Sequence, residues 1–441
     1  MRLSPYEMEF LEGKHGEAGR LAMTILVKLG ELYGAEELIP IAQAHIDGGL
    51  YAAVGEAGLA FAERLAALGG KVVVPTTMNA TSRDIHNWQD HLVRPEYAEK
   101  SARMEKAYLK MGVLPTWTCA PYQGGVVPRF GEQIAWAESN AIAFVNSVIG
   151  ARTERYGDYT DICCALTGRV PYFGLHKKEN RRGEFLLDCS ELRLDSGEDL
   201  AVLGYLTGKL TGSKIPVLQG IPEWVGTDDL KAFSAAVASS GSVAMFHMLG
   251  ITPEAADERA AFQGQAPERV IKISQDMLEE ARKQLSRIKI VHDPRISMAE
   301  GGVPGEAMDI VAENDGGTAL NLESVLPVDA VLIGCPHASV KEMMLIEQKL
   351  HGKKVMPGVE LWIYTQERVY AWLRQNGVLT GIEQAGAKII RDTCFVNTDL
   401  SGWHFRRVMT NSAKYAHYIP SRTGLDVIFA SLPECLAAAL G

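Results

Sequence analysis

Short apolar runs that stop at a glycine, a proline or a polar cluster recur along this chain, and they leave few folds open. The sharpest is Ala330-Val331-Leu332-Ile333, followed at once by Gly334-Cys335-Pro336-His337-Ala338-Ser339. An apolar run of that length bounded by breakers reads as a buried strand. Gly334 permits close backbone approach, and Pro336 has no N–H to give a ladder, so the strand ends there. A thiol, an imidazole and a hydroxyl thus reach the mouth of a sheet, where ligands sit in open α/β folds. The stretch suits a metal or cluster ligand or a nucleophile. The plainer alternative is a buried cysteine at a strand end.

Helical patterns alternate with such runs, which makes the chain α/β. Residues 5–32 read as helical, started by Ser4-Pro5 and stopped by Gly34. A strand over 39–49, a helix over 58–68 and a strand over 71–79 form a βαβ unit. Its loop tips share one sheet edge, which makes neighbours of His45, Gly48, Gly49, Thr77 and Asn79. A helix is expected over 96–111, and 115–122 repeats the pattern of an apolar run, a cysteine and a proline. On a helix over 134–147, Ser139 and Asn146 share a face, and with Ser147 they are candidates to line a site; capping and internal hydrogen bonding is the plain alternative. Residues 150–158 form a polar loop whose Arg152 and Arg155 suit a carboxylate or phosphate. Residues 181–232 read as rich in strands and turns. The last third cycles through strand and helix again, with strands over 328–339, 355–364 and 387–396.

The 441 residues are 47% apolar and 22% charged, ordinary for a globular chain and enough for two or three lobes. A net charge of -10 lacks the basic face of a nucleic-acid binder, so no nucleic-acid partner is expected. With no run of 18 apolar residues, no membrane span is expected either. The first residues lack the apolar region of a signal peptide. Seven scattered cysteines make no disulfide framework and point to a reducing cytoplasm.

Cys119, Cys335 and Cys394 share one context, an apolar run that ends in a polar or proline-rich loop. Cys163, Cys164, Cys189 and Cys435 do not, and read as core. Three thiolates from separate strand ends suit an iron–sulfur cluster or a single iron with one position open for Lewis-acid chemistry on a hydroxyl. No C-x-x-C pair is present, which counts against zinc. A cysteine nucleophile, Cys335 with His337, is the rival that needs no metal.

Taken together, Ala137-Glu138-Ser139, the run Asn146 to Thr153, Gly250 to Ala255, Gly334 to Ser339, Asp392-Thr393-Cys394 and Asn411 to Tyr418 resemble the large, catalytic subunit of the aconitase X family over essentially the full length. The resemblance implies an aconitase-like, multi-lobed α/β/α architecture around a central metal-site cleft. Approximate lobes are 1–170, 171–290 and 291–441. It implies an iron-dependent hydro-lyase with Cys119, Cys335 and Cys394 as ligands to iron or an iron–sulfur cluster. The family's substrates are cis-3-hydroxy-L-proline, the favoured reading, and mevalonate 5-phosphate. A small swivelling subunit, absent from these residues, is the expected partner and carries the base. On this reading Arg152, Arg155 or the amides of Gly48 and Gly49 hold a substrate carboxylate. Asn79, Ser139, Asn146, Ser147 and Lys414 are further substrate contacts. His45, His337 or His417 protonates the departing hydroxide. A non-catalytic metal-binding scaffold is the reading from another class.

Overall fold

A computed structural model of the chain describes residues 1–288 and 327–441. The fold is α/β, and three parallel sheets carry it. The first orders Thr76–Met78, Ala44–Ile46 and Ala135–Trp136 side by side. The second orders His247–Met248, Pro216–Gln219, Phe185–Asp188 and Arg269–Lys272. The third orders Lys388–Arg391, Glu360–Thr365, Ala330–Ile333, Arg407–Thr410 and Asp426–Phe429. An antiparallel pair, Leu38–Pro40 with Arg169–Pro171, sits beside the first sheet.

The third sheet shows why the apolar runs fold this way. A parallel sheet needs crossover helices, which bury both of its faces. Ala330–Ile333 is buried at every residue. Its alternation sends Ala330 and Leu332 into one core, with Trp362 and Tyr364. Val331 and Ile333 enter another, with Met343 and Ile346. Met343, Ile346 and Leu350 recur every three or four residues along the helix Val340–Leu350 and face that second core. Ser339 starts this helix: its Oγ accepts the Glu342 N–H at 3.2 Å, and the Glu342 carboxylate accepts the Ser339 N–H at 2.7 Å. Gly334 holds φ at +97°, and a Cβ there would lie 2.1 Å from the Tyr364 carbonyl oxygen. No other residue fits between the strand and the cysteine.

Several expectations need correction. The first helix is two, Pro5–Leu11 and Gly16–Leu32, broken where Gly13 turns left-handed. Residues 115–122 form no strand. They run beside Thr76–Met78, with the Leu114 N–H on Thr76 O at 2.8 Å and the Thr118 N–H on Met78 O at 3.0 Å, and Pro121 then opens a 3-10 turn. The stretch 181–232 holds the helix Gly197–Thr211 and the start of Thr227–Ser240. Both are buried on most sides, so their sequence lacks a polar stripe and imitates strands. The boundary expected near residue 290 lies outside the described residues.

Candidate functional site at the junction of two sheets

The first and third sheets meet at their carboxyl edges. The Thr81 N–H donates to Asp392 O at 2.6 Å, and the Cys394 N–H returns to Thr81 O at 3.2 Å. In the first sheet His45 pairs with Thr77 on one side and Trp136 on the other. Two residues beyond this row stand Asp47, Asn79 and Glu138. Register alone therefore groups them. Asn79 donates its amide to the Asp47 carboxylate. Thr77 Oγ, within 3.4 Å of Ala44 O, accepts from His45 Nδ1 at 2.8 Å. With the Thr77 hydroxyl proton given to Ala44 O, the imidazole carries its proton on Nδ1 and a lone pair on Nε2. That Nε2 is buried with no partner among the described residues.

The third sheet supplies the opposite wall. Cys335 follows its central strand, Cys394 follows Lys388–Arg391, and Lys414 opens the helix Ala413–Thr423. Ser412 caps that helix and donates its hydroxyl to Cys335 O at 2.5 Å. Cys119 enters from the loop beside the first sheet, and its sulfur accepts the His337 N–H at 3.4 Å. Buried Lys231 reaches across from the helix Thr227–Ser240 to donate to His337 O at 3.3 Å. At the centre, Lys414 Nζ lies 2.6 Å from Glu138 Oε1 and 3.4 Å from Ser139 Oγ. The other Glu138 oxygen accepts the Ala141 N–H at 2.8 Å and the Asn140 amide.

Electrostatics follow from burial. Burial raises the Glu138 carboxyl, but Lys414 and the hydrogen bonds outweigh it and hold the group below its usual range. Burial pushes Asp47 up to about 8, with Glu138 and Asp158 adding to the rise. It pushes the Cys119 thiol up to about 12 and raises Cys335 and Cys394 as well, while Lys414 opposes the rise in all three. The edge of the first sheet thus carries both halves of an acid–base division, ionised Glu138 and protonated Asp47. Sequence reasoning missed both roles. The strand-end logic that selected His45 and Gly48 reaches Asp47 as well, because it lies between them.

The junction collects Cys119, Cys335, Cys394, His45, His337, Asn79, Ser139 and Lys414. Other candidates lie elsewhere or are already engaged. The Gly48 amide faces Asp161 at 3.4 Å beside the Asp47 amide at 2.7 Å, so a carboxylate of the chain itself occupies that turn. Gly49 is a packing glycine, where a Cβ would strike Met78. Asn146 spends its amide on Thr153 and Ala244 carbonyls, and its oxygen on the Thr153 N–H and Arg181. Ser147 accepts the Phe246 N–H at 2.8 Å. Arg152 lies beside His176 and Arg181, and Arg155 is exposed on its loop. His417 packs on Tyr205 and Tyr418 near Lys209 and Arg287.

His337 is saturated. Its Nε2 donates to Thr393 O at 2.9 Å and its Nδ1 accepts from Thr118 at 3.2 Å, and burial lowers it to about 4. It has no lone pair left to take a proton from Cys335, which removes the basis for a cysteine nucleophile. His45 is lowered to about 4 by burial, so it is a neutral acceptor with no proton on Nε2 to give to hydroxide.

The donor chemistry fits iron: three thiols border one junction, and a lysine there favours their ionised form. Among the described residues the side chains are not gathered into a ready metal-binding group. No described helix is long and apolar enough to cross a membrane.

Comparison with known proteins places this geometry. Three family descriptions match in order: the aconitase X first domain over residues 1–179, the second over 183–283 and the third over 328–441. A cis-3-hydroxy-L-proline dehydratase of Pseudomonas aeruginosa is 40% identical over 100% of this chain and 70% of its own length. A phosphomevalonate dehydratase large subunit of Methanocaldococcus jannaschii is 34% identical over 99% of each. The crystal structure of Thermococcus kodakaraensis aconitase X in its holo-form superposes with a TM-score of 0.83 at 33% identity, covering 100% of both chains. Full-length likeness in sequence and in fold leads to one conclusion: the chain belongs to the aconitase X family.

Proposed function

We propose that this chain is a hydro-lyase that removes water from cis-3-hydroxy-L-proline. The observation that carries the chemistry is the buried Lys414–Glu138 pair beneath three cysteines, at the carboxyl edges of two parallel sheets. Cys119, Cys335 and Cys394 would hold the iron centre. Bound there, iron supplies Lewis acidity toward the substrate hydroxyl. Lys414 keeps Glu138 ionised and steadies the thiolates, and Glu138 caps the helix Ser139–Phe144 while facing the junction. Asp47 holds a proton at the same edge while the site is empty.

Two observations support the imino-acid substrate. The P. aeruginosa relative and one from Hypocrea jecorina, 37% identical over 100% of this chain, are both named cis-3-hydroxy-L-proline dehydratases. The buried cations around the junction are also taken: Arg83 by Glu105, Lys231 by Glu342 and Lys414 by Glu138. Dehydration of mevalonate 5-phosphate is the second reading. Relatives of that name support it, and so does Arg368, which lines the cleft beside Thr77 and Thr118 and is exposed. The large-subunit name of those relatives supports a small swivelling partner, and seven free thiols support a reducing, cytoplasmic setting.

The test is to express the chain without oxygen, record its absorption spectrum and iron content, and assay both substrates with the small partner added. Iron–thiolate absorption and turnover of hydroxyproline, both lost in Cys335→Ser with the fold retained, are expected. An iron-loaded complex inert toward hydroxyproline would refute the reading.

A further inference from the structure

Asp47 and His45 offer two acceptors that no described residue uses. Asn79 engages one Asp47 oxygen, and no described group engages the other. Asp47 is half-buried and stands two residues beyond the row that ends at the junction. His45 is fully buried, and its Nε2 is an acceptor without a partner. The charge that acts on His45 is Glu138. The ionisable groups acting on Asp47 are Glu138, Asp158 and Asp161, all acids. The surroundings therefore favour a cation that brings two hydrogen-bond donors.

We infer that Asp47 Oδ and His45 Nε2 form a subsite for the secondary ammonium of a cyclic imino acid, each taking one of its two N–H bonds. A secondary ammonium has two donors and one positive charge, and a charge-assisted pair of this kind is strong in a water-poor site. A phosphate or a neutral hydroxy acid brings no such group. Burial pushes Asp47 up to about 8, so the empty site holds a proton there, and an arriving ammonium displaces it. The inference rests on the imino-acid reading above and names the residues that recognise it.

The probes are L-proline and tetrahydrofuran-2-carboxylate, which has a ring oxygen in place of the ammonium. Neither carries the hydroxyl, so binding is read without turnover. In calorimetry with the full chain, Asp47→Asn is expected to weaken L-proline binding by about tenfold to a hundredfold and to change the oxygen analogue by less than about twofold. Should that variant fail to fold, wild type alone decides. Titrations in two buffers of different ionisation enthalpy should show proton release with L-proline and none with the analogue. Equal weakening of both ligands, or no proton release, overturns the subsite. So does wild type that binds neither ligand or does not distinguish them. Hydroxyproline turnover with an unaltered L-proline affinity in Asp47→Asn sinks the subsite and spares the dehydratase. Selective loss of L-proline binding in a chain inert toward hydroxyproline does the reverse.

Discussion

Replacing Lys414 by methionine should be the most informative single change, because it strands a buried charge. The Lys414 and Glu138 side chains are 13% and 6% exposed and lie 2.6 Å apart. Removing one partner of such a pair costs roughly 3–5 kcal/mol. Glu138 keeps the Ala141 N–H and the Asn140 amide, so the low end, about 3 kcal/mol, is expected at pH 7.5. Adding Glu138→Gln removes the stranded charge and should return about 2 kcal/mol of that loss. The depressed Glu138 carboxyl contributes stability above its ordinary range and loses it as pH falls through its folded value. The gap between wild type and Lys414→Met should therefore close in strong acid. Urea unfolding of the metal-free chain, followed by circular dichroism, measures all three proteins. A loss under about 1 kcal/mol in the single variant, or strict additivity in the double, would refute the buried-pair argument.

Gly334→Ala should cost about 3 kcal/mol and lower the melting temperature by roughly 3 °C, because it adds a Cβ against the Tyr364 carbonyl in a left-handed conformation. A shift under about 1 °C, less than about 1 kcal/mol for a chain of this length, would show that the loop yields. His176 is buried between Gln133 and Tyr156, and burial lowers it to about 3. The folded protein keeps it neutral while the unfolded chain protonates it below its ordinary value, so stability falls as pH drops from about 6.5 toward 3. From pH 7.5 to pH 5 this one group accounts for about 2 kcal/mol, and the same acidification should cost His176→Gln that much less. Parallel urea titrations at the two pH values check the difference, and equal losses would remove His176 as the cause.

Much of the fold was legible because short-range chemistry set it. Ser339 and Glu342 stand at capping-box spacing, and the helix Val340–Leu350 starts where that spacing requires. The apolar run at 330–333 is the buried central strand, and Cys335 and Cys394 do stand beyond strand ends. The helices at 197–211 and 227–240 were missed because burial on nearly all sides removes the polar stripe on which periodicity depends. Cys119 was assigned a strand that does not form, yet its loop still follows the sheet edge through two backbone hydrogen bonds.

The sequence by itself determined which thiols follow apolar runs, the α/β class and the resemblance, since each rests on residue type and local order. Only tertiary structure decided what the polar groups do. Asn146, Ser147 and Gly48 carry the same donors and acceptors as a binding residue, but packing brings Ala244, Phe246 and Asp161 to them, so their hydrogen bonds are spent inside the protein. Asp47 became notable because strand register set it beside Asn79 and close to Glu138, with one oxygen left over. A side chain's chemistry is written in its identity, but its availability depends on neighbours that are distant in sequence and meet only when the sheets do.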